Sequence, residues 1–126
     1  MIINERDTRN KRLLKVAGEM MTAARTAPKG KGIDIIEVMM LTGDTINYLS
    51  KGMLDYSEKT GMKFITRDAN NILQAEAVIL IGTKQKVQSL NCGYCGFDTC
   101  AEKLTYPDVP CAINTVDVGI AIGSAC

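Results

Sequence analysis

Four of the five cysteines of this chain fall within twenty residues, at Cys92, Cys95, Cys100 and Cys111. A Cys-x2-Cys pair lets two thiolates reach one inorganic centre from a tight turn, and the next two cysteines can supply a third and a fourth ligand. Glycine follows each of the first two cysteines, so the backbone can wrap closely around a bulky core. This spacing favours a cysteine-ligated iron–sulfur cluster, with Gly93, Tyr94 and Gly96 tuning its potential through amide hydrogen bonds.

Three other interpretations of the cysteines stay open. A structural zinc site usually combines two Cys-x2-Cys knuckles, and here there is one. A thioredoxin-like dithiol would need only Cys92 and Cys95, at the start of a helix that follows a strand. The third alternative is that the cysteines are packed as small apolar residues in the core, which would not require four of them to fall close together in the sequence. Within the cluster hypothesis, Cys126 is the rival of Cys111 for the fourth ligand position, although it is remote and follows an apolar helix.

Helices and strands are predicted on both sides of the cysteine loop. Apolar residues at steps of three and four (Leu13, Val16 or Ala17, Met20, Ala24) predict a helix from about Asp7 to Ala27. A Pro28–Gly32 loop ends it. Further along, we predict three strands: a buried strand at Ile33–Thr42, a short strand at Met62–Ile65 and a second buried strand at Glu76–Gly82. We also predict three helices. The first is capped by Asp44 or Thr45 and ended by Gly61, the second is capped by Thr66 or Asp68 and runs through Leu73, and the third spans Cys111–Cys126. On the helix that ends at Gly61, the predicted inner face comprises Ile46, Leu49, Met53, Leu54 and Tyr56.

These elements predict a single compact α+β domain over residues 1–126, with packed helices and a C-terminal cysteine loop and helix. Residues 1–90 form its α+β part, and residues 91–126 hold the metal motif and the last helix. That helix lacks a glycine cap, a polar last turn or a following proline, so we expect the sequence to stop inside a longer protein.

The composition excludes several classes of function. The net charge of +1 gives no electrostatic case for nucleic acid, and no apolar run is long enough for a membrane span. No secretory signal is present, so we expect a cytoplasmic protein, in whose reducing compartment cysteines serve as ligands more often than as disulfides. The absence of histidine excludes Ser-His and Cys-His catalysis. The scattered acids form no acid/base pair, so no catalytic residue is assigned.

The motif Cys-x2-Cys-Gly-x3-Cys from Cys92 to Cys100, followed by Ala101 and Glu102, resembles the iron–sulfur domain of corrinoid proteins and of the B subunit of the Rnf electron-transport complex. There, four cysteines hold one four-iron, four-sulfur (4Fe-4S) cluster. The resemblance therefore implies such a cluster here, with Cys92, Cys95 and Cys100 as ligands. The fourth ligand of that domain usually lies further along the chain than Cys111 does.

Taken whole, the chain resembles a bacterial and archaeal family described as ferredoxin domain-containing proteins, which has no established reaction. The segments that carry this resemblance are Ala23–Gly30, Cys92–Cys100 and Pro110–Ala112. It implies electron transfer with a redox partner that the sequence does not name.

The N-terminal half also resembles the start of the nitroreductase fold, in which a helix ends in an Ala-Pro turn before a strand of a mixed sheet. In that fold a flavin (FMN) lies at a homodimer interface, and an Arg-x-Ser-x-Arg pattern binds its phosphate; here Arg6-Asp7-Thr8-Arg9 approximates that pattern. Arg9, Arg12, Lys29 and Lys31 are the implied flavin contacts, and the alternative is a solvated face with a basic loop. An oxidoreductase that passes electrons from the cluster to flavin is the corresponding enzyme hypothesis.

Overall fold

The structure is a computed structural model that describes all of residues 1–126, and its α+β class confirms the sequence prediction. Five helices and two antiparallel, hydrogen-bonded strands make up the regular structure. In chain order these elements are α1 (Glu5–Thr26), a 3-10 turn (Gly30–Gly32), β1 (Ile36–Thr42), α2 (Asp44–Thr60), α3 (Lys63–Ile72), β2 (Ala77–Thr83), α4 (Cys100–Leu104) and α5 (Ala112–Ala125).

The chain divides into two compact units, each built from two separate stretches. The first unit comprises Met1–Gly18 and Met40–Leu80, and the second comprises Glu19–Met39 and Ile81–Cys126. All four clustered cysteines belong to the second unit. The expectation of one domain, with residues 1–90 and 91–126 as its parts, stays a prediction.

In the first unit, α2 packs on α3 through buried serines as well as through apolar side chains. Ser50 Oγ donates to the carbonyl of Ala69 at 2.8 Å, and Ser57 Oγ donates to the carbonyl of Met62 at 2.8 Å. Ile46 on α2 is buried, whereas Leu54 and Tyr56, both expected on its inner face, are exposed. The apolar face of α2 is therefore narrower than its sequence indicates.

The predicted strand at Met62–Ile65 is wrong, because these residues form the start of α3. The N–H of Ile65 donates to the carbonyl of Met62 at 3.0 Å, which closes a helical turn. A segment of four residues, Met-Lys-Phe-Ile, is too short for its apolar pattern to separate strand from helix, and the packing of α3 on α2 decides here. Thr66 therefore lies inside α3 instead of capping it, and Ser57 Oγ contacts its hydroxyl at 2.7 Å.

The caps of α2 are partly as predicted. Gly61 ends the helix in the left-handed conformation, with φ of 74°, as expected for a C-terminal glycine. At the other end the N-cap residue is Gly43, and no side chain caps it. The hydroxyl of Thr45 instead donates to the carbonyl of Thr42 at 2.7 Å, which fixes the turn from β1 into the helix.

Both predicted strands form, but they are less buried than expected. Every residue of β2 is half-buried, and Met39 and Met40 on β1 are exposed. A sheet of two strands has two open edges and covers little of its own surface, so a continuous apolar run does not guarantee burial. The mixed sheet implied by the nitroreductase resemblance is a two-stranded antiparallel sheet in this chain.

The core of the second unit depends on small side chains. Its buried members are Ala24, Ala27, Ile36, Ala121 and Ala125, and Met20, Val38, Ile81 and Val118 pack against them. Alanines of α1 and of α5 thus share one buried cluster. Towards its N-terminus α1 is exposed, including Leu13 and Val16, so only Ala17 and later positions of its predicted apolar face are covered.

Candidate functional site

The four clustered cysteines line a single pocket in the second unit. Cys92, Cys95, Cys100 and Cys111 all contribute to its wall, together with the apolar side chains of Val87, Leu90, Phe97 and Ile113. Cys111 is buried, Cys95 and Cys100 are half-buried, and Cys92 is exposed. None of them forms a disulfide. The chain therefore brings four free thiols together on one wall that opens to solvent beside Cys92.

Cys126 does not belong to this pocket. It is exposed and lies directly after the last residue of α5, whereas Cys111 directly precedes the first. The two ends of a fourteen-residue helix are about 20 Å apart at 1.5 Å per residue. Of the two candidates for a fourth ligand, the structure thus brings only Cys111 to the other three cysteines.

The pocket is narrow. It contains about 330 Å³ of space between atoms, counting solvent at its mouth, and its centre has room for about one water molecule. No three Cys, Asp or Glu side chains form a group that could hold a single metal ion. A tetrahedral zinc site, with Zn–S distances of about 2.3 Å, would hold its sulfurs about 3.8 Å apart. The four thiols therefore share a wall without forming a tight mononuclear site.

The loop before the pocket turns sharply through left-handed backbone conformations. Positive φ angles occur at Ser89 (54°), Asn91 (47°), Gly93 (73°) and Gly96 (89°). Glycine adopts such angles freely, and asparagine does so more readily than most residues. This curvature carries the chain back on itself between Leu90 and Cys95, so that two cysteines three residues apart face the same space.

Asn91 holds Cys100 by two hydrogen bonds in opposite directions. The N–H of Cys100 donates to Oδ1 of Asn91 at 2.8 Å, and the N–H of Asn91 donates to Sγ of Cys100 at 3.4 Å. The second bond is of the amide-to-sulfur kind that tunes metal-bound thiolates. The sequence predicts this role for the amides of Gly93, Tyr94 and Gly96; in the structure the Gly96 amide donates to the carbonyl of Gly93, and the role of the other two stays a prediction.

The short helix α4 positions Cys100 and was not predicted. Its N-cap is Thr99, whose hydroxyl accepts from the N–H of Glu102 at 3.1 Å, while Oε2 of Glu102 accepts from the N–H of Asp98 at 3.2 Å. The Thr-x-x-Glu pattern is the sequence signature of a capping box and could have revealed this helix, although the carboxylate accepts from the residue before the N-cap. After it, the ring of Tyr106 stacks on Phe97 at 5.0 Å between centroids, which ties the two sides of the loop together.

Buried polar side chains fix the start of α5 and therefore Cys111. Nδ2 of Asn114 donates to the carbonyl of Lys86 at 2.7 Å, and Nε2 of Gln88 donates to Oδ1 of Asn114 at 3.3 Å. Asp117 accepts the N–H of Gly30 at 2.8 Å. The spacing of these residues in the sequence does not predict their role in fixing α5, because their hydrogen-bond partners are distant in sequence.

The basic residues proposed as contacts of a flavin phosphate do not share a common partner. Nζ of Lys29 donates to the carbonyls of Ala24, Arg25 and Ala27 and so caps the C-terminus of α1. Lys31 donates to the carbonyl of Gln88 at 3.5 Å.

The other two basic residues lie in the first unit. Arg9 pairs with Glu5 one helical turn away at 2.8 Å, and this bond lowers the pKa of that carboxyl. Arg12 lies on the same exposed stretch of α1. Lys29 in particular has a structural role that accounts for its presence, and the flavin contact stays a prediction.

Comparison with known proteins relates the whole chain to a longer protein. The chain belongs to the same family as an uncharacterized protein of Archaeoglobus fulgidus, with 35% identity over 133 residues that cover 99% of this chain and 72% of the relative. No protein-family model and no solved structure matches the chain. Separately, no helix of the structure has the length and apolar character needed to cross a membrane.

Proposed function

We propose that this chain is an electron-transfer protein that binds one 4Fe-4S cluster through Cys92, Cys95, Cys100 and Cys111. The observation that supports the proposal most strongly is that four free thiols, selected from sequence spacing alone, line a single pocket. The cysteine spacing also favours a cluster over zinc, because it contains one Cys-x2-Cys pair and a structural zinc site usually combines two.

The residues around the thiols suit such a cluster in other respects. Four apolar side chains in the wall would limit access of water, and the amide of Asn91 already donates to one of the sulfurs. Because the centre of the pocket has room for about one water molecule, loading requires the Cys92–Gly96 turn to move outwards. That turn is exposed at most of its positions and contains two glycines.

When bound, the cluster would supply reversible one-electron chemistry at a potential set by its surroundings. The protein would hold the sulfurs, shield one side of them and leave the other accessible. The accessible side is that of Cys92 and Tyr94, both of which are exposed. An electron donor or acceptor would therefore approach the molecule at this turn.

Anaerobic purification followed by iron, sulfide and zinc analysis tests the proposal. We expect about four iron and four sulfide ions per chain, a brown colour, and loss of most iron when any one of the four pocket cysteines is replaced by serine. Cys126→Ser is the matched control and should retain the full iron content, because Cys126 is exposed and far from Cys111. An iron-free preparation that carries zinc would overturn the proposal. Absorbance of the same preparation would detect bound flavin and so tests the oxidoreductase hypothesis.

A further inference from the structure

The first unit contains an open groove that the proposed electron transfer does not use. It is formed by α2, α3 and the end of β1, and it holds about 590 Å³ of water-accessible space. Small-molecule pockets typically enclose about 300–1,000 Å³ and are lined by apolar and aromatic side chains with a few polar groups. This groove has such a lining, because seven of its nine residues are apolar or aromatic.

Aromatic side chains are concentrated at this groove. Of the six aromatic residues of the chain, three line it: Tyr48, Tyr56 and Phe64. Their exposed fractions are 82%, 53% and 57%, so these rings contribute little to the core of the first unit. Exposed apolar side chains that are grouped in one patch typically belong to a binding surface.

Gly52 lies between the two tyrosines on one face of α2. Tyr48, Gly52 and Tyr56 follow each other at steps of four residues, so the two tyrosines start about 12 Å apart along the helix axis. Glycine in the interior of a helix is less favourable than alanine. Here neither a left-handed backbone nor crowding requires it, because a β-carbon at Gly52 would have no other atom within 4 Å. The glycine therefore keeps space open between the two rings, although it weakens the helix.

Asp68 is the one charged residue in the lining of the groove. Its Oδ1 accepts from both Nε and Nη2 of Arg67, at 2.9 and 2.8 Å, whereas its Oδ2 makes no hydrogen bond within the protein. Asp68 lies one helical turn after Phe64 on α3. The groove thus combines a free carboxylate oxygen with an exposed ring on one side and two tyrosines on the other.

We propose that this groove binds a planar aromatic ligand over Gly52, with a cationic N–H group of the ligand donating to Asp68. Aromatic faces stack on planar rings and attract cations, and a carboxylate forms its strongest hydrogen bonds with charged N–H donors. The groove is preformed, because Ser50 on α2 donates to the carbonyl of Ala69 and Ser57 donates to that of Met62. Neither the cysteines nor a cluster takes part in this binding.

Fluorescence titration of the full chain with two probes of similar shape and opposite charge tests the proposal. Proflavine is a planar three-ring cation with amino groups, and anthracene carboxylate is a planar three-ring anion. We expect one proflavine per chain, bound about tenfold more tightly than the anion, and Asp68→Asn should remove most of this preference.

Gly52→Leu should weaken proflavine binding about tenfold or more, because its side chain would fill the space between the tyrosines. The same variant should unfold at a higher denaturant concentration than wild type, because leucine favours the helix. Gly119→Leu is the matched control: Gly119 is exposed in the interior of α5, has open space at its β-carbon and does not line the groove, so binding should be unchanged. If Gly52→Leu fails to fold, Gly52→Ala replaces it.

The proposal would be overturned if wild type bound neither probe, bound both equally, or bound proflavine as tightly after Gly52→Leu. Sedimentation provides a further check: a wild-type dimer that Gly52→Leu dissociates would identify the groove as an interface between two copies and would also overturn it. None of these results depends on iron content, so the proposed electron transfer is tested separately.

Discussion

Replacement of Asn91 separates two contributions that this residue makes to the cysteine loop. Its side chain accepts the N–H of Cys100 at 2.8 Å, and its backbone adopts the left-handed conformation, with φ of 47°. Asn91→Gly removes the hydrogen bond and keeps the conformation accessible, so the loss of stability should be about 1 kcal/mol. Asn91→Ala removes the same bond and adds a left-handed alanine, which costs about 1–2 kcal/mol more.

The expected order of stability is therefore wild type, then the glycine variant, then the alanine variant at about 2–3 kcal/mol below wild type. For a chain of this size a loss of 1 kcal/mol lowers the melting temperature by about 4 °C, so circular dichroism melts of cluster-free protein resolve all three. Ser89→Gly is the control, because Ser89 is also left-handed, at 54°, but makes no side-chain hydrogen bond. It should melt no lower than wild type. Equal melting of the glycine and alanine variants would refute the argument from backbone conformation.

Two further predictions concern the elements around the site. Gly30→Ala should destabilise the protein by about 1–3 kcal/mol, because its Cβ would lie 2.5 Å from Cγ2 of Ile113. Gly18→Ala, with open space around its Cβ, should instead stabilise α1 by about 0.5–1 kcal/mol. Denaturant unfolding measures both changes, and a Gly30→Ala variant as stable as wild type would contradict the packing around Gly30. The hydrogen bonds from Arg25 lower the pKa of Asp34 below its usual 3.8, so this pair should stabilise the fold above about pH 4 and lose its effect as the pH falls further. Both side chains are more than a third exposed and screened by solvent, so we expect the pair to contribute at most about 1 kcal/mol to the free energy of unfolding. Asp34→Asn should remove this part of the acid sensitivity in pH-dependent melts. If the variant lost stability in acid as wild type does, the pair would be excluded as the cause.

Local sequence rules accounted for most of the secondary structure. The long helix before Pro28, the helix that ends at Gly61 and the final helix form as predicted, because periodicity and glycine or proline punctuation act within a few residues. The rules failed at Met62–Ile65, where a four-residue segment is too short to favour either state and packing on α2 selected the helix. They also missed α4, although its Thr99 and Glu102 match a capping box.

The sequence by itself also selected the cysteines, because a Cys-x2-Cys pair and two further thiols in one short loop are chemically distinctive whatever the fold. Only the tertiary structure decided that Cys111, and not Cys126, shares a pocket with the other three, since the course of α5 separates its two ends. It alone placed Asn91 against Cys100. Burial and through-space contacts depend on how distant segments pack, and no local spacing in the chain encodes them.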